Sequence, residues 1–145
     1  MLFRSDYHEV VRSGVRALLQ ATDDIIVSAE AGTVREAVDE ADRARPDVVV
    51  MDVRLDPGFF HAFHKHPDQD EMITVVSGKV TQYLEEESTV LGPGDSVYID
   101  KDVVHGSYND FAEPAQLAVV LAPAIGDGGY VAVDVSAEEP WASAR

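Results

Sequence analysis

A chain of 145 residues with 46% apolar and 26% charged residues has the size and make-up of an ordinary globular domain, with room for one full core rather than two. Its net charge of -16 disfavours nucleic acid and anionic membrane surfaces as partners, because both are held mainly through Lys and Arg. The absence of cysteine excludes disulfides, thiolate metal sites and cysteine nucleophiles, leaving His, Asp and Glu as the side chains able to build a strong metal site. No apolar run approaches the roughly 20 residues of a membrane span, and "MLFRSDYHEV" lacks the apolar core of a signal peptide. A cytoplasmic protein without membrane contact is expected.

From Tyr7 to Gln20, Val10, Val11, Gly14, Val15, Leu18 and Leu19 recur at i, i+3, i+4 spacing and predict an amphipathic helix. "DIIVSAEA", Asp24 to Ala31, is a short β-branched run and predicts a strand. "TVREAVDEADRAR" predicts a second helix, with Thr33 and Glu36 placed as a capping box and Pro46 as the stop. "DVVVMDV" is a continuous apolar run, the pattern of a strand covered on both faces. The order helix, strand, helix, strand indicates α/β.

After Gly58 the helical period gives way to strand-like segments: "EMITVVSGKVTQYLE", "STVLGPGDSVYID", "VVHGSYND", "AQLAVVLAPA" and "YVAVDV". Turn signals at 85–87, 92–95 and 126–129 divide them, as in an antiparallel barrel or sandwich. Composition shifts at the same point: residues 1–57 hold 7 Arg and no Lys against 12 acidic residues, net -5, whereas residues 58–145 hold 3 Lys and 1 Arg against 15, net -11. The chain is read as an α/β segment over 1–57 followed by a β domain over 58–145.

The chemistry concentrates in "HKHPDQDE", His64 to Glu71. On a strand, His64 and His66 point to one face, about 7 Å apart along the backbone. Glu71 lies past the Pro67-Asp68 turn and can return to them on a neighbouring strand, and His105 in "VVHGSYN" is a fourth candidate from farther along the chain. Three neutral nitrogens and one carboxylate suit Fe, Mn, Ni, Cu or Zn. Because the imidazoles must be neutral to ligate, metal binding is expected to weaken as pH falls through about 6. His61 is out of phase with His64 and His66 and is expected to face away from them.

"GFFHAFHKHPDQDEMITVVSG", Gly58 to Gly78, resembles the first cupin motif at every fixed position: a Gly, five residues, His-x-His, four residues, Glu, six residues, Gly. "GDSVYIDKDVVHGSYN" resembles the second, with Gly94, His105 and Asn109 in place and with Asp100 and Asp102 standing where the family has Pro and Gly. The ending "GGYVAVDVSAEEPWASAR" is similar to that of small single-domain bacterial cupins. The resemblance implies a mainly β fold, an antiparallel jelly-roll barrel, with His64, His66, Glu71 and His105 as ligands to one divalent transition metal ion inside it. Gly78 and Gly94 are expected in turns. Asn109 is read either as a support to the ligands or as a turn stabiliser, and Phe59, Phe60, Phe63, Tyr83, Tyr98, Tyr108 and Phe111 either as core and dimer-interface residues or as walls of a substrate pocket.

The first 57 residues resemble the opening of a response-regulator receiver domain. Asp52, after the apolar run "DVVVM", falls on that family's phosphate-accepting aspartate, and Asp6 on one of its Mg²⁺-binding acids. Tyr7 stands where the second acid is expected, and everything beyond the third strand is absent. The receiver order places the first strand between the second and third, so "MLFRS" is expected to fill that gap and "DVVVMDV" to serve as an edge strand of the barrel. Taken together, a metal-binding cupin is expected, acting on or binding a small molecule inside the barrel, as a metal-dependent dioxygenase or isomerase. The alternatives are a non-catalytic metabolite or metal sensor, and a signalling module with a vestigial phosphoacceptor. A homodimer is the family expectation; the catalytic residues are not legible.

Overall fold

The computed structural model describes residues 2–5, 9–126 and 129–145, with backbone alone for residues 2–5 and 9–12. The chain opens with β1 (Leu2–Ser5), α1 (Glu9–Gln20), β2 (Ala29–Ala31) and α2 (Val34–Ala44). The Thr33 hydroxyl accepts the Glu36 N–H at 3.2 Å, and the Glu36 carboxylate accepts the Gly32 N–H at 2.9 Å, so the capping signal in the sequence sets where α2 starts. Arg45 ends the helix in a left-handed conformation (φ 44°), its N–H bonded to the Ala41 carbonyl, one residue before Pro46. The strand expected over Asp24 to Ala31 is realised only at Ala29–Ala31, because four-residue β1 supplies partners only from Leu2↔Ala29 to Arg4↔Ala31.

The strands β3 (Val49–Leu55), β4 (Phe60–Lys65), β5 (Asp70–Ser77), β6 (Val80–Leu84), β7 (Glu87–Leu91), β8 (Ser96–Ile99), β9 (His105–Tyr108), β10 (Ala115–Ala122) and β11 (Val133–Asp134) follow. They form two facing sheets, one ordered β2-β1-β3-β10-β5-β8 and the other β11-β4-β9-β6-β7. β1 runs parallel to both β2 and β3, whereas β3 runs antiparallel to β10 from Val49↔Leu121 to Leu55↔Ala115. The apolar run at the join is thus a barrel strand, and β1 covers the edge that would otherwise stand open.

Alternation then decides the faces. Val49, Met51, Val53 and Leu55 of β3 share a face with Leu117, Val119 and Leu121 of β10 and with Glu71, Ile73 and Val75 of β5. The main core collects Leu55, Ile73, Val75, Val80, Ile99, Ala115, Leu117, Val119 and Leu121 between the two sheets. Beside it, Ala31, Ala37 and Ala41 pack on Val49, so α2 rests on the same sheet where β1 and β2 extend it. A third cluster, Phe63, Val104, Tyr108 and Val135 with Tyr83 and Trp141, lies on the outer side of the five-stranded sheet under the C-terminal segment. Most of the singled-out aromatics are thereby placed: Phe63, Tyr83 and Tyr108 pack there, and Phe59, Phe60 and Tyr98 are exposed.

Two motif residues have structural duties. Gly78 adopts φ +74°, and a Cβ there would lie 2.3 Å from the Pro114 carbonyl oxygen, so no other residue fits without moving the backbone. Buried Asn109 donates to the carbonyls of Leu55 (2.8 Å) and Glu113 (2.9 Å) and accepts the Phe111 N–H (3.0 Å). It therefore ties the end of β3 to the loop before β10, which resolves its role in favour of stabilisation. Asp102, standing where the family has Gly, takes the left-handed backbone (φ 66°) that a Gly would, and its carboxylate pairs with Lys65 at 2.7 Å. Among the described residues no helix is long and apolar enough to cross a membrane.

Candidate metal centre

The site is built by three strands. His64 is on β4, His105 directly opposite on β9, Glu71 on β5 of the facing sheet, and His66 just past the end of β4. All four are buried, at 5% (His64), 2% (His66), 4% (Glu71) and 1% (His105) exposure. Each offers one ligand atom, and these atoms lie within 4.8 Å of one another. The structure thus brings together the four residues that the sequence singles out.

The tautomers are set by the backbone. His64 Nδ1 donates to the Ala62 carbonyl at 2.7 Å, His66 Nδ1 to that of Val131 at 2.6 Å, and His105 Nδ1 to that of Val103 at 3.0 Å. Each neutral ring then carries its lone pair on Nε2. The three Nε2 atoms and Glu71 Oε2 converge, buried and without a hydrogen-bond partner. His105 Nε2 lies 2.7 Å from Glu71 Oε2 and His66 Nε2 3.5 Å from it, contacts that attract only with a proton or a cation between the atoms. Four acceptor atoms pointed at one another are costly to bury unless a cation or protons sit among them. A divalent ion fits this donor set.

Electrostatics agree with that arrangement. Burial, with the His61 and His105 rings alongside, holds the His64 imidazole down to about 3. For Glu71, burial alone would push the carboxyl up, but the neighbouring His105 and His66 rings outweigh it and bring the group to about 2. Burial likewise opposes protonation of His66, and the Glu71 carboxylate and Val131 carbonyl reverse this and raise it. The carboxylate is ionised and His64 neutral, the states that ligation requires.

His61 corrects the expectation from strict alternation. Its ring lies 4.1 Å from that of His64, on the same side of β4. The cause is a bulge: His61 pairs with Ser107 and His64 with His105, so three steps along β4 match two along β9. The extra residue resets the phase, turning Phe63 outward to the aromatic cluster and both His61 and His64 inward. His61 remains exposed, beside the buried cluster.

A residue that the sequence does not flag lies beside His61 and His66. The Tyr130 hydroxyl lies 3.4 Å from His61 Nε2, and its ring is 5.1 Å from that of His66. Burial, and then the Glu71 carboxylate, push its phenol up to about 12. Its backbone is clamped by Gln69, only 1% exposed, whose amide donates to the Pro123 (2.7 Å) and Gly129 (2.9 Å) carbonyls and accepts the Val131 N–H (2.8 Å). The only signals for either residue were a lone Tyr after a Gly-rich turn and an amide inside the four-residue spacer of the first motif.

Asp52 is placed differently from the receiver expectation. β3 continues three residues beyond it, and its side chain, on the face away from the core, accepts a hydrogen bond from the Gln116 amide of β10. Asp6 and Tyr7 lie outside the described residues.

Two facing sheets with a buried cluster of three histidines and one glutamate define a double-stranded β-helix protein with a metal-site-like centre. Residues 51–121 match the family described as Cupin domain. A conserved protein with a double-stranded β-helix domain from Klebsiella pneumoniae is 31% identical, with a TM-score of 0.53, over 61% of this chain and 76% of that one. The chain belongs to the cupins. A sugar phosphate isomerase of the cupin superfamily from Silicibacter pomeroyi is 29% identical, with a TM-score of 0.50, over 52% of this chain and 50% of that one. The DNA-binding transcriptional activator DevR/DosR of Mycobacterium tuberculosis is 51% identical over 57 residues, 39% of this chain and 26% of that protein. The chain spans about a quarter and just under half of the first two curated relatives it matches.

Proposed function

We propose that this protein is a metal-dependent cupin that binds and transforms a small oxygen-bearing molecule inside the barrel. His64, His66, Glu71 and His105 would hold one divalent transition metal ion, Fe, Mn, Ni, Cu or Zn. The observation that carries this reading is the convergence of four buried, unpartnered ligand atoms whose imidazoles are each fixed by an Nδ1 bond to the backbone. Bound there, the ion would supply Lewis-acid or O₂-binding chemistry, which places the reaction among isomerisations or dioxygenations. The likeness to a sugar phosphate isomerase supports the first of these.

The protein's own residues do the rest. Burial between the facing sheets shields the four ligand atoms, and the Nδ1 bonds keep each imidazole in the ligating tautomer. The exposed side of His61 marks the way in. Elemental analysis of protein purified without added metal tests the reading. About one transition-metal ion per chain is expected, falling to a small fraction in His64→Ala and His105→Ala. Equal metal content in these variants would overturn the ligand assignment. A turnover screen over O₂-dependent and isomerase substrates then separates an enzyme from a non-catalytic sensor.

A further inference from the structure

The inner wall of the five-stranded sheet carries two rows of polar groups. One holds His64 and His105 of the buried cluster, and the other lies farther along the same strands. Opposed residues in antiparallel pairs share a face, so the pairings His61↔Ser107 and Gln82↔Ser107 put these three side chains on the inner wall beside the His64↔His105 row. Ser107 and Gln82 satisfy each other through a 2.6 Å hydrogen bond from the Ser107 hydroxyl. His61 and Tyr130 do not: their mutual contact is long, 3.4 Å, at the edge of a hydrogen bond, and His61 is open to solvent. Tyr130 is nonetheless held firmly, because the Gln69 amide bonds the backbone on both sides of it, at Gly129 and Val131.

We propose that the Tyr130 hydroxyl, positioned by the Gln69 clamp and partnered by His61, donates a hydrogen bond to an oxygen of the molecule bound at the metal, and that this molecule is a small carboxylate or hydroxycarbonyl compound rather than a phosphate ester. The proposal rests on the metal-binding reading above. Its class follows from charge and donors. A divalent ion with the single Glu71 carboxylate leaves one positive charge, which a monoanion neutralises. Among the described residues the buried polar and charged side chains are His64, His66, Gln69, Glu71, Gln82, His105, Ser107 and Asn109, with no Lys or Arg to meet a phosphate dianion. The donors beside the cluster, the Tyr130 phenol and the His61 imidazole, suit one or two neutral or singly charged oxygens. Gln69 is a positioning residue: its amide is engaged by the backbone of Pro123, Gly129 and Val131 and acts through Tyr130.

The test uses the full chain loaded with cobalt(II), read by its visible absorption, with sodium lactate as probe and inorganic phosphate as competitor. Lactate is expected to perturb the cobalt spectrum of the wild type, and Tyr130→Phe to weaken lactate at least 10-fold while binding cobalt in the same stoichiometry. His61→Leu is expected to weaken lactate about 3-fold. Gln69→Leu, measured at saturating cobalt, is expected to weaken it as Tyr130→Phe does, and the double variant no further. Equal lactate affinity in Tyr130→Phe, or no spectral response in the wild type, overturns this inference alone. Phosphate binding more tightly than lactate overturns the ligand class. Additive losses in the double variant overturn the positioning role of Gln69. Failure of the wild type to take up cobalt overturns the metal reading and this inference together.

Discussion

The barrel and the α/β layer at its edge share one sheet but are packed to different standards. The barrel core is made mainly of Leu, Ile and Val side chains on four strands of one sheet, β3, β5, β8 and β10, and on β6 of the other, most of them 0–4% exposed. The layer formed by α1, β1, β2 and α2 packs three buried alanines on Val49 of β3, and it leaves Leu18, Ile26 and Val34 more than half exposed. Buried area sets the hydrophobic contribution, so a Leu or Ile supplies roughly 1.5–3 kcal/mol where an alanine supplies a fraction of that. The difference teaches that the site stands on the dense half, and that the α/β layer depends on the barrel through β3 more than the barrel depends on it.

The strongest way to break that comparison is Leu121→Ala, at a fully buried position beside both cores. A loss of about 3–5 kcal/mol is expected in urea titration, with the Trp141 fluorescence transition and the helical circular dichroism moving together. Separate transitions would show that the layer stands alone. Acid is the next lever, in the metal-free protein. His64 is depressed in the fold, so the unfolded chain takes up its proton first and stability falls as pH drops from about 6.5 towards 3; Glu71 adds a loss from about 4.5 towards 2. His66, raised in the fold, adds stability as pH falls towards 6.5 and a constant amount below it, so it does not offset that loss. A net acid destabilisation is expected, shallower in His64→Gln, and a flat stability profile between pH 6.5 and 4 would contradict it.

Asn109→Ala removes three hydrogen bonds where β3 meets the barrel loop, and about 2–3 kcal/mol of stability should go with them, together with faster proteolysis between Val48 and Gly58. Thr33→Ala is the mildest probe, removing the α2 cap at a cost of about 1 kcal/mol. Faster amide exchange across residues 34–44 with an unchanged Trp141 transition is the expected pattern, and a shifted transition would mean that the two layers unfold as one.

The buried cluster was readable because its spacing is mostly local: alternation aligns His64 with His66, and the motif brings Glu71 and His105 with them. His61 was misplaced because a bulge is an insertion against a partner strand, and nothing in β4 alone counts the residues of β9. Tyr130 and Gln69 escaped because their relation spans about sixty residues and runs through backbone groups that carry no side-chain signature. Strand β2 was overestimated because its length is set by β1. The pairing of β3 with β10 was legible only as a need for some neighbour.

β3 has parallel β1 on one edge and antiparallel β10 on the other, with no linker between the two arrangements. A slip of one residue against either neighbour would turn Val49, Met51, Val53 and Leu55 outward together, emptying both cores at once. Each half therefore proofreads the alignment of the other. A strand used in this way is a splice that joins two architectures by common register, and it tolerates sequence change far better than it tolerates a change in length.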